Sequence, residues 1–510
     1  MEIIDSFLNK ITMYKLTLYY LIALISYAIV LSFFNLLPFK PFDIIVSTIV
    51  LVNVSLITNY IFAKLFNAVT NVESVYITSL ILALIIPLSF PLNLKFIIEA
   101  AVFSTVVKYF LTVGKRHIFN PAAASAVIVA LLTGNSATWW VGTPFMLPVV
   151  LIGGILLAKK IRREDLVFSF FIAYFFIIGV GSVLHLPTIA SIISTWRISI
   201  LHSAVFFFAF VMLTEPLTSP TTKRLQSYFG YVVAVLYATL QLRLGAFGLT
   251  PEMALCVGNA LNFFINPNYR LDLILKAKRK LSEDTYEFAF QKSLDFRFIP
   301  GQYMEWTLPH QGVDSRGNRR YFSISSSPTE NEISMTVKFN DPSSSYKKNL
   351  IELNEGGKII AAQVAGDFTL PEDLKKPIVF IAGGVGIAPF KSMIKYIVDN
   401  NLSVDVTLIY SNRNPHEILF DNIFDKAKAN GVKKVYLLTD SSAVPKGWSG
   451  GVGHVSEDLI KSKIPNYQKS TYYISGPQLM VQGVERTLRG MGVKQSMIIT
   501  DFFPGYSEKK

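Results

Sequence analysis

The sequence predicts a polytopic α-helical membrane bundle of about ten helices, arranged as an inverted five-helix repeat, followed by a small antiparallel β-barrel and a parallel α/β lobe. Ten strongly apolar segments fill residues 16–265, and the remainder carries short β-type runs and then alternating strand and helix patterns. With 51% hydrophobic residues and a mean hydropathy of +0.41, the 510 residues are too apolar for one soluble globule. We expect domains at residues 1–266, 267–374 and 375–510.

The apolar segments have the length of membrane spans, since about 20 apolar residues fit a roughly 30 Å hydrocarbon core. We place them at residues 16–37, 42–63, 74–90, 96–113, 119–134, 144–158, 166–183, 198–213, 226–242 and 250–265. An even number of spans puts both ends on one side of the membrane. The tail and loops on that side hold eleven Lys and Arg residues, against four in the opposite loops. The positive-inside rule therefore predicts a multi-pass protein of the cell membrane with both termini and the soluble part in the cytoplasm.

Charge and cysteine content exclude several classes of function. Residues 1–265 hold 16 Lys/Arg and 9 Asp/Glu, and the remainder holds 32 and 26, so neither part has the basic excess of a nucleic-acid-binding protein. Cys256 is the only cysteine in the sequence. A disulfide framework, a four-thiolate iron–sulfur cluster and a cysteine zinc site are therefore excluded within this chain, and we predict no metal site.

Two proline patterns recur at nearly the same spacing in the apolar half. Residues 87–91 read Pro-Leu-Ser-Phe-Pro and residues 216–220 read Pro-Leu-Thr-Ser-Pro, an offset of 129. Pro121 and Pro251, which open the fifth and tenth spans, are offset by 130. Because each copy contains five spans, the second copy is inserted upside down. Interrupted helices at matching positions of inverted repeats indicate a binding site near the middle of the membrane; a chance match of two helix ends is the alternative.

Two ionisable residues, Lys108 and Glu215, are predicted to lie inside the bilayer or at its edge. Charged groups there are costly, so both are candidates for function, with snorkelling of Lys108 to the inner surface as an equal alternative. Trp139 and Trp140 lie side by side at the outer boundary, where we predict that they anchor the bundle at the interface rather than stack on a cofactor.

Three strings of the apolar half carry a family resemblance. Phe119-Asn120-Pro121-Ala122-Ala123, Thr214-Glu215-Pro216-Leu217-Thr218-Ser219-Pro220 and Gly230-Tyr231 resemble the flavin-carrying membrane proteins of Rnf electron-transport complexes and of sodium-pumping NADH:quinone reductase. The resemblance implies a flavin in the bundle, FMN or riboflavin, near Asn120, Thr218 and Ser219, with a quinone as the alternative. The loop Gly134–Trp140 lacks the family's full attachment sequence, so we expect no covalent flavin on Thr138.

Two different patterns divide the soluble half. Residues 271–371 alternate short β-type runs with turns, which predicts an antiparallel barrel with strands at Leu271–Lys276, Tyr286–Gln291, Tyr303–Leu308, Ile333–Phe339 and Lys358–Ala362. From residue 376 onward strands alternate with helices, which predicts a parallel sheet. Its strands are predicted at Pro377–Ile381, Val404–Tyr410, Lys434–Leu438 and Thr471–Ile474.

Three strings of the soluble half carry the strongest functional signal. Pro300-Gly301-Gln302-Tyr303, the run 320–328 that reads Arg-Tyr-Phe-Ser-Ile-Ser-Ser-Ser-Pro, and Gly366-Asp367-Phe368 resemble the ferredoxin-NADP reductase superfamily. The resemblance implies a bound flavin, FAD with FMN left open. Arg320 offers a forked cation to a flavin phosphate, Phe322 an aromatic face to the ring and Ser323 a hydroxyl to the ring's polar edge. The predicted flavin site also includes Tyr321, Ser325, Gly366 and Phe368.

A glycine-rich turn between a buried strand and a helix is predicted to bind the pyrophosphate of NAD(P)H, because glycines allow the backbone to approach it closely. The residues of this turn are Gly383, Gly384, Gly386, Ile387 and Pro389.

Further residues are assigned to the dinucleotide and flavin sites by the same resemblance. Ser475-Gly476-Pro477 stands where the superfamily has Cys-Gly-Pro beside the nicotinamide, so we expect slower or retuned hydride transfer. Arg413 fits either a 2′-phosphate or the adenosine ribose, which leaves NADH and NADPH open. Phe503 and Tyr506 resemble the closing aromatic segment that covers the flavin, with lobe packing as the alternative.

Together these patterns predict a flavoprotein oxidoreductase with Ser475, Phe322 and Ser323 as catalytic residues. NAD(P)H delivers hydride to the flavin, and electrons continue into the membrane domain to a membrane or extracytoplasmic acceptor, a flavin or a quinone. A redox-regulated transporter, or a ferric or quinone reductase whose membrane half mainly anchors it, is the alternative. A haem reductase is disfavoured, since the histidines of the apolar half are dispersed at His117, His185 and His202. Assembly into a homo-oligomer stays open.

Overall fold

The chain forms two units in the computed structural model, which describes residues 7–8, 11–66, 72–88, 92–113, 116–241, 249–265, 270–293, 296–314 and 316–502. The units are Met1–Asn268 and Tyr269–Lys510. The first is mostly helical, and the second contains two six-stranded sheets.

The first unit consists of helices that are apolar on most faces, as expected of segments packed against one another and against lipid. Their bounds are Met13–Phe33 (α1), Pro41–Leu65 (α2), Val72–Ile85 (α3), Leu94–Phe110 (α4), Pro121–Thr133 (α5), Leu147–Ile161 (α6), Glu164–His185 (α7), Ile189–Leu201 (α8), Val205–Phe207 (α9, continued by a π-helix Phe208–Met212), Lys223–Gln241 (α10) and Pro251–Ile265 (α11). A short hairpin, Thr112–Val113 (β1) and Arg116–His117 (β2), follows α4. Side-chain oxygens of Thr12, Asn93 and Asn120 cap the first turns of α1, α4 and α5.

A helix lies within each of the ten apolar segments, but fewer are long enough to cross a membrane. By length and composition, three helices of the described residues qualify, namely α1, α2 and α7, and the pair formed by α8 and Val205–Met212, bent by 47°, makes a fourth. α3 and α5 are apolar but shorter. The described part of the chain therefore provides a membrane anchor of three or four spans by this criterion, rather than ten.

The first proline interruption leaves a helix end whose carbonyl groups need partners, because membranes offer no water to bond them. Backbone N–H of Trp139 donates to Ile85 O at the end of α3 (3.0 Å), and Trp140 Nε1 donates to Ala83 O (2.9 Å). Both tryptophans are buried, and Trp139 Nε1 donates to Glu252 Oε2 (2.8 Å). The prediction that they anchor the bundle at the interface is therefore wrong, because their N–H groups are bonded inside the unit.

The second unit begins with six antiparallel strands that form the predicted barrel. In chain order they are Leu271–Lys280 (β3), Thr285–Gln291 (β4), Tyr303–Thr307 (β5), Arg319–Ser323 (β6), Glu332–Lys338 (β7) and Lys358–Ala365 (β8), and helix Ser345–Glu352 (α12) lies between the last two. The sheet order is β6-β5-β8-β3-β4-β7, and an antiparallel bridge between Ile324 and Met335 joins its two ends. Phe288, Phe290 and Trp306 are buried in its core.

The parallel α/β lobe follows, with sheet order β12-β11-β10-β9-β13-β14. Its strands are Ile378–Gly383 (β9), Val406–Asn412 (β10), Val432–Leu438 (β11), Gly451–Val452 (β12), Thr471–Gly476 (β13) and Ile498–Phe502 (β14). Its helices are Ala388–Asp399 (α13), Asp421–Lys426 (α14), Glu457–Lys463 (α15) and Gln478–Gly490 (α16). Every residue of β9 is buried, as expected of a central strand covered on both faces. The predicted combination of an antiparallel barrel and a parallel α/β lobe is confirmed.

Candidate active site

The carboxyl end of β9 carries the predicted glycine-rich turn. β9 lies between β10 and β13, so the strand order reverses there, which is where open α/β sheets bind their ligands. Gly384 has a φ of +51°, and nothing lies within 4 Å of the position that a Cβ would occupy. At Gly386 a Cβ would instead lie 2.4 Å from Ser475 O, near the carboxyl end of β13. The structure thus brings Gly383, Gly384, Gly386, Ser475 and Gly476 together at one sheet edge.

Neighbouring residues hold this turn against the start of a helix. Ile387 is buried, and Pro389 occupies the first turn of α13, where its missing N–H leaves no hydrogen bond unmade. Pro477 Cδ lies 3.2 Å from the position of a Cβ on Gly383. The arrangement combines an open backbone at Gly384 with a helix N-terminus, which together suit a pyrophosphate.

Two predicted catalytic hydroxyls are buried and lack hydrogen bonds. Ser323 and Ser475 are 2% and 0% exposed, and neither Oγ has a partner among the residues that the structure describes. A buried unpaired hydroxyl destabilises the folded chain by about 1–3 kcal/mol, so such a group in a native protein calls for a partner such as a ligand, an ion or a water. Phe322, which precedes Ser323, packs its ring 6.1 Å from that of Tyr346.

Arg320 is held in place mainly through one of its two terminal nitrogens. Its Nη1 donates to the carbonyls of Arg316 and Gly317, both at 2.9 Å. Nη2 lies 3.7 Å from an Asp314 carboxylate oxygen and makes no hydrogen bond within the described ranges. The guanidinium carbon lies 5.1 Å from the centroid of the Tyr346 ring. One edge of a fixed guanidinium is therefore left for an anion.

The start of α12 contributes a cation that the sequence analysis missed. Lys347 follows Tyr346 in the first turn of α12, which is capped by the Ser344 hydroxyl. Burial, followed by the charges of Arg316 and Arg320, lowers the pKa of Lys347 to about 8. The sequence signal that could have pointed to Lys347 is Ser344, a helix-capping residue that predicts a helix N-terminus here. Only the tertiary structure brings the Lys347 charge under the influence of Arg320.

Several residues that were predicted to bind the flavin have side chains that bond or pack within the protein. Tyr321 OH donates to Glu305 Oε2 (2.9 Å), and Ser325 Oγ is bonded to Ser334 Oγ (2.9 Å) in the barrel interior. Phe368 is buried, with its ring 5.3 Å from that of Tyr473, so it belongs to the core of the α/β lobe. The structure does not bring the side chains of Ser325 and Phe368 to the site.

The prediction also assigned Gly366, Phe503 and Tyr506 to the flavin site. Gly366 has a φ of +108°, and a Cβ there would lie 3.0 Å from the Tyr303 ring, which makes it a turn residue against the barrel. Phe503 and Tyr506 lie outside the described residues.

Arg413 lies next to a carboxylate at the edge of the sheet. It directly follows β10, it is exposed, and its carbonyl accepts the backbone N–H of Asp440 (3.3 Å). The Ser442 hydroxyl and N–H bond Asp440 and hold its pKa below the ordinary value, so this carboxylate is charged at neutral pH. Both signs of charge are therefore present just beyond the carboxyl end of β10.

In the first unit, the predicted polar residues near the interrupted helices form a hydrogen-bonded network. Asn120 N donates to Asn259 Oδ1 (3.0 Å), while Nδ2 of Asn259 and of Asn262 donate to Thr218 O (3.2 and 2.8 Å). Thr218 Oγ1 donates to Glu215 Oε2 (2.9 Å). The structure thus unites Asn120, Thr218 and Glu215, and adds two asparagines that the sequence analysis missed although they stand three residues apart on one apolar helix.

The side chains predicted to bind a flavin in this unit already have protein partners. Asn120 Oδ1 accepts the N–H groups of Ala122 and Ala123, and Ser219 Oγ donates to Glu215 O (2.7 Å). Lys108, which was predicted only as an ionisable candidate for function, also has a partner, since its Nζ donates to Ser74 O (3.0 Å). These side chains are therefore bonded from within the protein.

Comparison with known proteins identifies the second unit. A family model for the oxidoreductase NAD-binding domain matches residues 380–486. NADH-cytochrome b5 reductase 1 of Emericella nidulans is 30% identical over 240 residues, which cover 45% of this chain and 76% of that protein. This chain belongs to the ferredoxin-NADP reductase family. The predicted resemblance of the soluble half is confirmed, and the protein is a flavoprotein oxidoreductase that binds FAD and uses NAD(P)H.

A second relative and a solved structure are also similar to this chain. NADH-cytochrome b5 reductase 1 of Ajellomyces capsulatus is 29% identical, over 46% of this chain and 79% of that protein. The crystal structure of an Amycolatopsis cytochrome P450 reductase is 22% identical with a TM-score of 0.42, over 46% of this chain and 70% of that one.

Substitution of Gly386 by alanine is expected to raise the KM for NAD(P)H of this ferredoxin-NADP reductase family member about 10-fold, because the new Cβ would overlap Ser475 O and displace the loop. Steady-state kinetics with the purified full chain measures this. Gly483→Ala is the matched control, since nothing lies within 4 Å of its Cβ position and its kinetics should not change. An unchanged KM in Gly386→Ala would show that the turn does not bind the dinucleotide.

Flavin affinity is expected to fall as pH rises above about 8, because Lys347 has its charge below its lowered pKa and loses it above. Fluorescence titration of flavin-free protein from about pH 7 to about pH 9.5 measures the dependence. Lys347→Met should bind flavin more weakly at neutral pH and remove this part of the dependence. Lys348→Met, at the exposed neighbouring position, should retain it. Identical profiles for the two variants would exclude Lys347 from the flavin site.

Proposed function

We propose that this protein oxidises NAD(P)H at the sheet edge of Gly384 and Ser475 and passes the electrons through FAD to an acceptor in the membrane. The observation that carries the proposal is the buried Ser475 hydroxyl, which has no hydrogen-bond partner in the described chain and adjoins a glycine turn with open space on one side. An orphaned hydroxyl in such a place is explained by a ligand that bonds it.

The residues of the barrel fit FAD. Arg320 Nη2 is suited to a flavin phosphate, Phe322 to the face of the ring, and Ser323 Oγ to its polar edge. The Lys347 ammonium, which donates to Lys338 O, adds positive charge for the phosphates. FAD bound there supplies an acceptor for hydride that can release electrons one at a time.

In the α/β lobe, residues of the glycine turn and of β13 orient the dinucleotide. The turn of Gly383, Gly384 and Gly386 receives the pyrophosphate, and the Ser475 hydroxyl positions the nicotinamide from the carboxyl end of β13. Because Ser475 is fully buried, water is kept from that position.

The electrons then pass to a lipid-embedded acceptor, for which a quinone is the first candidate. The apolar helices of the first unit and their polar network around Glu215 support this proposal, as does the resemblance of the three strings to membrane proteins of electron-transport complexes. We propose that the shorter helices complete a ten-segment, multi-pass bundle with both termini in the cytoplasm. Asn120, Thr218 and Ser219 do not fit a second flavin, because each already bonds protein groups.

A quinone-reduction assay tests the complete proposal. Full-length protein in vesicles that contain a lipid-soluble quinone should bleach its flavin and form quinol on addition of NADH, and Arg320→Ala should lose flavin and both reactions. Glu215→Gln should lower quinol formation about 10-fold while ferricyanide reduction is unchanged. Glu99→Gln, a carboxylate 3.8 Å from Lys95, is the control.

Two results would redirect the assignment of the acceptor. Equal quinol formation by Glu215→Gln and wild type would mean that the first unit only anchors the reductase. Reduction of added cytochrome b5 but not of quinone would instead favour cytochrome b5 as the acceptor, as in the name of the relatives.

NADH is expected to be preferred over NADPH, because the charged Asp440 carboxylate can accept a hydrogen bond from the ribose 2′-hydroxyl and repels a 2′-phosphate. Asp440→Ser should raise kcat/KM for NADPH about 10- to 100-fold and lower it for NADH. Asp405→Ser, which removes a carboxylate paired with Lys433, is the control. A wild-type preference for NADPH would assign the 2′-phosphate to Arg413 instead.

A further inference from the structure

A buried ion pair joins the α/β lobe to the barrel within the second unit. Lys391 Nζ lies 3.1 Å from Glu287 Oε1, and the two side chains are only 5% and 6% exposed. Lys391 is the fourth residue of α13, the helix that begins directly after the glycine turn. Glu287 is in the middle of β4. The pair therefore connects the element that carries the dinucleotide turn to the wall of the flavin barrel.

On the barrel side, the carboxylate is the centre of a hydrogen-bonded network. Arg279 Nη1 lies 3.2 Å from Glu287 Oε2, and Ser334 Oγ donates to Glu287 Oε1 (3.1 Å). Ser334 in turn is bonded to Ser325 (2.9 Å), two residues after Ser323. The network thus extends from the helix of the dinucleotide turn to the segment that carries the predicted flavin hydroxyl.

The next residue of α13 makes a second connection to the same segment. Ser392 Oγ donates to Ser326 O (2.6 Å), and Ser326 Oγ accepts the backbone N–H of Ser334 (2.9 Å). Lys391 also lies 3.6 Å from Glu330 Oε2. Two successive side chains of α13 are therefore bonded to the barrel beside the flavin motif, and all of these groups except Glu330 are buried.

We infer that the Glu287–Lys391 pair is a positioning joint that sets the distance between the bound nicotinamide and the flavin ring. The inference rests on the proposed function. Separation of the two buried charges takes from each its nearest counter-ion without returning it to water, so the pair favours one relative placement of α13 and β4. Apolar side chains of similar volume would pack there without imposing that placement. Hydride transfer needs such a fixed distance, since displacement by about 1 Å can slow it about 100-fold.

Lys391→Met tests the inference in the full-length, flavin-loaded protein. Its flavin content should equal that of wild type, since Glu287 keeps Arg279 as a partner. Flavin bleaching at saturating NADH, measured by rapid mixing, should slow about 10- to 100-fold. The kinetic isotope effect with 4-deuterated NADH should become more dependent on temperature, because the donor–acceptor distance is no longer held. Lys391→Arg should recover most of the rate.

The matched control is Lys395→Met, one turn further along α13, which removes a more exposed pair with Asp399 and should leave rate and isotope effect unchanged. A folded Lys391→Met protein with wild-type bleaching and isotope effect would overturn the inference, even with a lowered Tm. Should Lys391→Met fail to fold, Glu287→Gln is expected to give the same slowing, and a wild-type rate there would overturn it equally. If wild-type flavin is not bleached by NADH, the proposed function fails instead.

Discussion

The near contact between Gly386 and the main chain of Ser475 and Gly476 is the constraint on which the second unit depends. Any Cβ at Gly386 would lie within 2.6 Å of both residues, so only glycine lets the turn after β9 approach the carboxyl end of β13 this closely. Because β9 and β13 are adjacent in the sheet, this contact lies at the point where the strand order reverses, which is where open α/β sheets bind their ligands.

The buried polar groups of the second unit fall into two classes. Ser325, Ser334, Glu287 and Lys391 are bonded to one another, so their desolvation is offset within the protein. Ser323, Ser475 and one nitrogen of Arg320 have no hydrogen-bond partner in the described chain. The first class joins the barrel to the lobe, and the second contains the groups that we propose bind the ligands.

In the first unit, several buried polar side chains bond backbone carbonyls of the interrupted helices. The interruptions at the prolines free backbone carbonyls, and indole, hydroxyl and amide groups of the protein bond them. Asn120 is an example, since its side chain caps α5 and its N–H reaches Asn259. A polar residue beside a broken membrane helix is thus first a partner for the backbone.

The elements of the second unit could be predicted from the sequence, whereas the surroundings of individual side chains in the first unit could not. The barrel and lobe followed from the period of apolar residues, and the glycine turn from its position between a strand and a helix, because both signals are local in the chain. The roles of Trp139 and Trp140 were predicted wrongly, since an indole at the end of an apolar run looks the same whether lipid or protein surrounds it.

By itself, the sequence determined that an apolar helical half precedes a flavin and dinucleotide module, because hydrophobic period and glycine spacing are written along the chain. Only the tertiary structure decided which distant charges meet. The charge of Lys347 is influenced by that of Arg320, and Glu287 contacts Lys391 across 104 positions, because the folded barrel and lobe bring distant parts of the chain together. The physical reason is that desolvation and pairing depend on the surroundings of a charge in space, which no local pattern records.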